Sequence, residues 1–170
     1  MENEIVNRVA KSPLVTIDLE TFYPKGDRVL LDLKEVLFQG LILREKDFRE
    51  WVKQHDWTQY TDKYLAVTCS TDAIIPVWAY MLVATKATPY CKHMILGSLE
   101  QLEVSIFEKA IAELQPEDYK DKMVVIKGCS SLPVPDATYL SISSKLQPYV
   151  KSIMYGEPCS TVPVYKKPRK

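Results

Sequence analysis

Short apolar runs alternate with amphipathic stretches along most of the chain, and their periods predict its elements. Leu14 to Leu19 alternates around Val15, Ile17 and Leu19, as a half-buried strand does. Arg28 to Leu33 predicts a second strand, and Pro24-Lys25-Gly26-Asp27 between them is a strong turn signal. The two are expected to pair as an antiparallel hairpin with a long loop, with Asp18, Glu20 and Asp32 on its solvent face. Glu4 to Ala10 predicts a short helix. Arg44 to Gln54 follows the helical period, with Phe48, Trp51 and Val52 on one stripe and His55 at its carboxyl end, where an imidazolium complements the helix dipole.

From Lys63 the pattern becomes regular. Strands are expected at Lys63–Thr68, His93–Leu96, Met123–Lys127 and Ser152–Tyr155. Helices are expected from Thr71 or Asp72 to Lys86, from Ser98 to Leu114, and from Pro135-Asp136 to Leu146. Alternating strands and helices with short connections predict βαβ units and a parallel sheet. The expected fold is therefore α/β: one domain over residues 1–170, with a mainly parallel sheet, helices on both faces and the N-terminal antiparallel hairpin at one edge. Its expected parts are a hairpin and helix (1–62), the βαβ repeats (63–156) and an irregular C-terminal strap (157–170).

At 170 residues with 46% apolar positions, the chain is long enough to bury a core without metal or disulfide staples. Acidic and basic residues balance at 22 each, so no long-range field draws nucleic acid or anionic lipid, and neither is an expected partner. Met1 to Ser12 lacks the apolar core of a secretory signal, and the run Ala73 to Ala84 is too short to span a bilayer. A cytoplasmic setting follows as an expectation, and there cysteines serve as ligands, reactive thiols or core fillers rather than disulfides. The oligomeric state is left open.

The candidate chemistry lies in three similar stretches: Cys69-Ser70-Thr71, Cys129-Ser130-Ser131 and Cys159-Ser160-Thr161. Each follows a predicted strand. In an open α/β sheet, ligands bind beyond the carboxyl ends of the strands, so three parallel strands would gather these thiols at one edge. Three readings follow. Cys69, Cys129 and Cys159 could bind zinc, iron or an iron–sulfur cluster, since thiolates suit soft metals. Asp72 or Glu157 would then stand nearby, and Ser70, Thr71, Ser130 and Ser160 would donate to sulfur. Alternatively, Cys69 just before a helix N-terminus could be a nucleophile in sulfur or redox transfer. In the third reading the cysteines only line the crevice of a small-molecule-binding domain. Cys91 precedes a strand and reads as a buried filler. Whether any reaction is catalysed stays open, because no phosphate loop, nucleophile elbow or Cys-x-x-Cys is present.

Four runs carry a resemblance: Met1 to Val9, Gly40 to Arg49, Cys69 to Pro76 and Ser152 to Pro163. They are similar to an uncharacterised bacterial family, domain-of-unknown-function family 2480. The resemblance brings no established activity and no catalytic residue. It implies a genomic neighbourhood of iron–sulfur assembly genes of the sulfur-mobilisation type. That favours an accessory role in cluster, iron or sulfur handling, with iron–sulfur assembly proteins as partners.

Overall fold

The structure, a computed structural model, describes residues 14–127 and 132–168. The helix expected at Glu4–Ala10 lies outside them. Among the described residues, seven strands and four α-helices follow in order. They are β1 (Leu14–Asp18), β2 (Arg28–Asp32), α1 (Glu45–Gln54), β3 (Tyr64–Thr68), α2 (Val77–Ala87), β4 (His93–Leu96), α3 (Leu99–Glu113), β5 (Met123–Lys127), α4 (Asp136–Leu146), β6 (Ser152–Glu157) and β7 (Ser160–Lys166).

The fold is mixed α/β and mostly parallel, but the strands form two sheets, ordered β1-β5-β6-β7 and β2-β3-β4. The chain divides accordingly into two compact units: unit 1, residues 1–23 and 107–170, and unit 2, residues 24–106.

The expected antiparallel hairpin does not form. β1 pairs in parallel with β5, and β2 pairs in parallel with β3. The reason is local. Asp18 accepts a hydrogen bond from Glu20 N (3.0 Å) and folds Leu19–Phe22 into a 3-10 turn, with Leu19 fully buried. The chain is diverted before Pro24–Asp27 can close a hairpin. Asp32 does the same after β2, accepting from Lys34 N (3.0 Å) ahead of the turn Leu33–Val36. These aspartates cap turns at strand ends rather than decorating a solvent face.

Nor is there one continuous sheet. Each βαβ crossover closes on its own N-terminal strand, so the thiol-bearing strands β3 and β5 belong to different sheets. The C-terminal strap is also corrected: Ser160–Lys166 is a strand, antiparallel to β6 with an irregularity between Ile153 and Met154. Helix α2 starts at Val77 rather than at Thr71 or Asp72. Pro76 holds φ −61° and ψ 139°, an extended conformation, and disfavours helix in the residue before it. Ser98 does cap its helix: Gln101 N donates to Ser98 Oγ (3.3 Å) and Ser98 N donates to Gln101 Oε1 (2.8 Å), a reciprocal box.

The two units repeat one pattern at an offset of 59 residues. Phe48 and Phe107, Tyr60 and Tyr119, Asp62 and Asp121, Pro76 and Pro135, Tyr90 and Tyr149, and Gly97 and Gly156 are identical pairs at that spacing. Helices α1 and α3 end at equivalent residues, Gln54 and Glu113. Burial repeats too: Ala79, Val83 and Ala87 in α2 correspond to Thr138, Ile142 and Leu146 in α4. Asp62 and Asp121 both take positive φ (60° and 57°), a conformation that aspartate tolerates. Their N–H groups donate to Tyr90 O and Tyr149 O respectively, which sets the register of the following strand pair.

In unit 2, Leu65 and Val67 pack with Phe48, Val52, Trp57 and Val83, while Ala66, which points the other way along the strand, packs with Leu102 and Ile106. In unit 1, Val124, Ile126 and Ile153 pack with Ile17, Leu19, Ile111 and Ile142. The polar loop Asp56–Asp62 contributes two of unit 2's core side chains, Trp57 and Tyr60. Trp57 is anchored by its indole N–H on Val52 O (2.9 Å).

His55 stacks among Trp51, Trp57 and Tyr60, with ring centroids 4.6, 4.6 and 5.7 Å away, and its Nε2 lies 2.9 Å from Tyr60 Oη. Burial pushes its pKa down, against the pull of Asp56, so the ring favours the neutral form over the imidazolium expected at a helix end. A folded-state pKa below the unfolded one means that the unfolded chain takes up more protons, so stability falls as pH drops through and below about 6.5. The urea midpoint should therefore decline between neutral and mildly acidic pH, and by less in His55→Phe. Equal declines in both proteins would remove His55 as the cause.

Candidate functional site

The carboxyl edge of unit 2 is built around Asp32 and Cys69. Asp32 closes β2, and Thr68, its register partner, closes β3. Ser70 N donates to Asp32 Oδ1 (3.0 Å), tying the loop after β3 to the end of β2. Burial would raise the Asp32 pKa. The Ser70 hydroxyl, the N–H groups of Lys34 and Ser70, and the Lys34 ammonium together outweigh that and hold it below the usual carboxylate value.

Cys69 is half-buried, with its Sγ 3.4 Å from Thr71 Oγ1 and 3.8 Å from Thr71 O, to which the thiol donates. Asp72 is exposed and caps no helix. With α2 starting at Val77, Cys69 does not directly precede a helix N-terminus. Cys91 packs against the core, and burial pushes its thiol pKa up, as suits a filler.

The carboxyl edge of unit 1 is charged. Lys127, the last residue of β5, places its ammonium 3.8 Å from Asp18 Oδ2 and 3.4 Å from Glu157 Oε1. Glu20 Oε1 accepts from Leu132 N (3.4 Å). Cys129, Ser130 and Ser131 lie outside the described residues. Cys159 is exposed in the two-residue turn that joins β6 to β7, where Glu157 and Ser160 are register partners. Thr161 turns its hydroxyl to Met154 Sδ (3.7 Å).

Cys69 thus belongs to unit 2 and Cys159 to unit 1. Among the described residues, no group of three or more His, Cys, Asp or Glu side chains is placed to hold a metal ion. Reasoning from sequence missed the turn-capping role of Asp18 and Asp32 and the pairing of Lys127, the predicted end of its strand, with Asp18 and Glu157. The signal for the aspartates was the recurring Asp-Leu at the close of an apolar run.

Two grooves lie at equivalent places in the two units. One of about 590 Å³ lies between α4 and the β6–β7 pair, lined among others by Tyr139, Leu140, Tyr155 and Val164. Its counterpart in unit 2, about 300 Å³, is lined by Val67, Tyr80, Met81, Ala84 and Met94 to Leu96, every one of which has its equivalent 59 residues on in the first. No cysteine lines either groove. Among the described residues, no helix is long and apolar enough to cross a membrane.

Comparison with curated proteins and with solved structures returns no match. One family model, described as a protein of unknown function, matches residues 3–167. Matched over nearly its whole length, the chain belongs to that family, DUF2480.

Proposed function

We propose that this protein is a metal- or iron–sulfur-handling accessory protein that works through Cys69, Cys129 and Cys159. One observation carries the reading. In sequence, both repeats carry a Cys-Ser pair that begins one or two residues after the end of an interior parallel strand, Cys69-Ser70 after β3 and Cys129-Ser130 after β5, although most other positions have diverged. That is where open α/β sheets take their ligands. Unit 1 offers a second thiol, Cys159, in the turn after β6, the neighbour of β5. Lys127 and Glu157, two residues before Cys129 and Cys159 respectively, are in contact with each other.

The donor set is soft and suits zinc, iron or an iron–sulfur cluster. Glu157 and Asp72 are the carboxylates nearest these cysteines in sequence. Ser70, Thr71, Ser130 and Ser160 supply hydroxyls that can donate to sulfur, and Thr71 Oγ1 lies within reach of Cys69 Sγ.

The test is metal and acid-labile sulfide content, with a visible spectrum, on untagged protein purified without oxygen. Bound iron with sulfide is expected for a cluster, and metal without sulfide for a mononuclear site. Cys129→Ser should abolish either one. Separate Cys69→Ser and Cys159→Ser variants assign the thiols that take part. Protein that is metal-free as purified and takes up neither zinc nor iron on reconstitution would overturn the proposal.

A further inference from the structure

Strand β4 ends the sheet of unit 2, whereas its equivalent β6 is followed in its sheet by β7. The backbone groups concerned follow from the ladder. Tyr64 N donates to Asp27 O on the β2 side, and Gly97 N donates to Val67 O. Successive strand residues turn their N–H and C=O to opposite neighbours. Leu65 and Val67 therefore serve β4, His93 and Ile95 serve β3, and Met94 and Leu96 turn outward. In unit 1 the residues equivalent to these last two, Ile153 and Tyr155, stand opposite Tyr165 and Val162 of β7. Among the described residues, no strand lies along the outer side of β4.

The helix beside this edge differs between the repeats in the same sense. In α4, Asp136, Ser141 and Ser143 stand where α2 has Val77, Leu82 and Ala84. Helix α2 carries a single charge, Lys86, which suits a helix buried on most sides. Yet Val77, Met81 and the neighbouring Leu96 are 73%, 62% and 61% exposed. Met81 and Leu96 line the same groove. Leu140 of unit 1 is exposed too, but Asp136, Ser143 and Ser144 share its groove. The unit whose edge is closed by β7 has the more polar helix, and the unit with the open edge has the apolar one.

We infer that two copies of the chain associate through unit 2, with β4 pairing antiparallel to its counterpart about a two-fold axis at Ile95. A two-fold contact requires a patch that complements itself, and this one does. Met94 and Leu96 flank Ile95, so Met94 of each copy meets Leu96 of the other and the outward backbone groups of both are satisfied. The two three-stranded sheets become one of six. Val77 and Met81 of the paired α2 helices lie beside the seam and cover one another.

The test is the mass of the full chain in solution. Two copies of 19.5 kDa give 39 kDa by light scattering or sedimentation. Val77→Asp combined with Met81→Glu should give 19.5 kDa with an unchanged circular dichroism spectrum, because both sites are exposed and unit 1 carries aspartate at the first position. Leu140→Glu should leave the mass at 39 kDa. In a Cys159→Ser background, which removes the exposed thiol, Ile95→Cys should form a disulfide-linked dimer on oxidation that Cys159→Ser alone does not. A monomeric wild type overturns the inference, as does a dimer that the α2 pair leaves intact. Failure of Ile95→Cys to cross-link overturns the strand pairing.

Discussion

Phe48→Ala is expected to destabilise the protein by about 3–5 kcal/mol, as buried Phe→Ala changes do. Phe48 is fully buried in the core of unit 2 and lies on the inner stripe of α1 with Val52. Its ring centroid is 5.4 Å from that of Trp51 and 5.8 Å from that of Trp78, the latter edge-on. Truncation removes the transfer energy of the ring and leaves a cavity between helix and sheet. The indoles are too large to swing into it without leaving their own contacts. Because whole domains are stable by only about 5–15 kcal/mol, the loss approaches the total. Urea denaturation measures it, and hydrogen exchange should show protection lost first in α1, β3 and α2. Phe38→Ala is the control: Phe38 is 40% exposed beneath the Arg44 guanidinium and should cost well under half as much. Equal losses at the two positions would mean that Phe48 is not a core residue.

Phe48 also shows which parts of the fold the sequence made legible. The stripe Phe48, Trp51 and Val52 announces α1, and the apolar runs announce β3, β4 and β5 within a residue, because both signals are local. Strand pairing is not local. Nothing in Leu14–Asp18 says that its partner is Met123–Lys127, more than a hundred residues away, and a nearby turn signal invites the hairpin that does not form. The repeat was legible in principle, since Phe48 and Phe107, or Asp62 and Asp121, share one spacing. The cysteine stretches obscured it, because that spacing sets Cys69 against Gly128 rather than Cys129. Pro163 hid β7. It stands opposite Met154, the residue of β6 whose backbone groups turn away from β7, so its missing N–H costs no hydrogen bond between them. For the candidate site, the strand-end positions of Cys69 and Cys159 followed from the strands. Asp18 and Asp32 were misjudged because a carboxylate after an alternating run reads as solvent-facing until the turn it caps is seen.

Gly156→Ala is the second change expected to have a large effect, and it separates the fold from the proposed site. Gly156 has φ 117°, and an added Cβ would lie 2.6 Å from Ser160 O. That oxygen is backbone, so either β7 or the turn must shift. Strain at such a φ costs roughly 1–3 kcal/mol before any hydrogen bonds are lost. The expected results are a lower unfolding midpoint and faster amide exchange across Ser152–Lys166, with β2–β4 unchanged. Gly97→Ala is the informative comparison. Gly97 also has a positive φ, 152°, so alanine is strained there too, but its Cβ would meet Gln101 Oε1, the end of a flexible side chain, so the steric clash falls on the Ser98–Gln101 cap of α3 rather than on the backbone of a paired strand. Unchanged exchange in β6 and β7 of Gly156→Ala would show that the close approach at Ser160 is not required. If Cys159 is a ligand, Gly156→Ala should also lose bound metal faster than Gly97→Ala, because the turn that presents the thiol begins two residues beyond Gly156. Metal loss at equal rates, with β6–β7 exchange accelerated only in Gly156→Ala, would remove Cys159 from the ligand set and leave the hairpin a purely structural role.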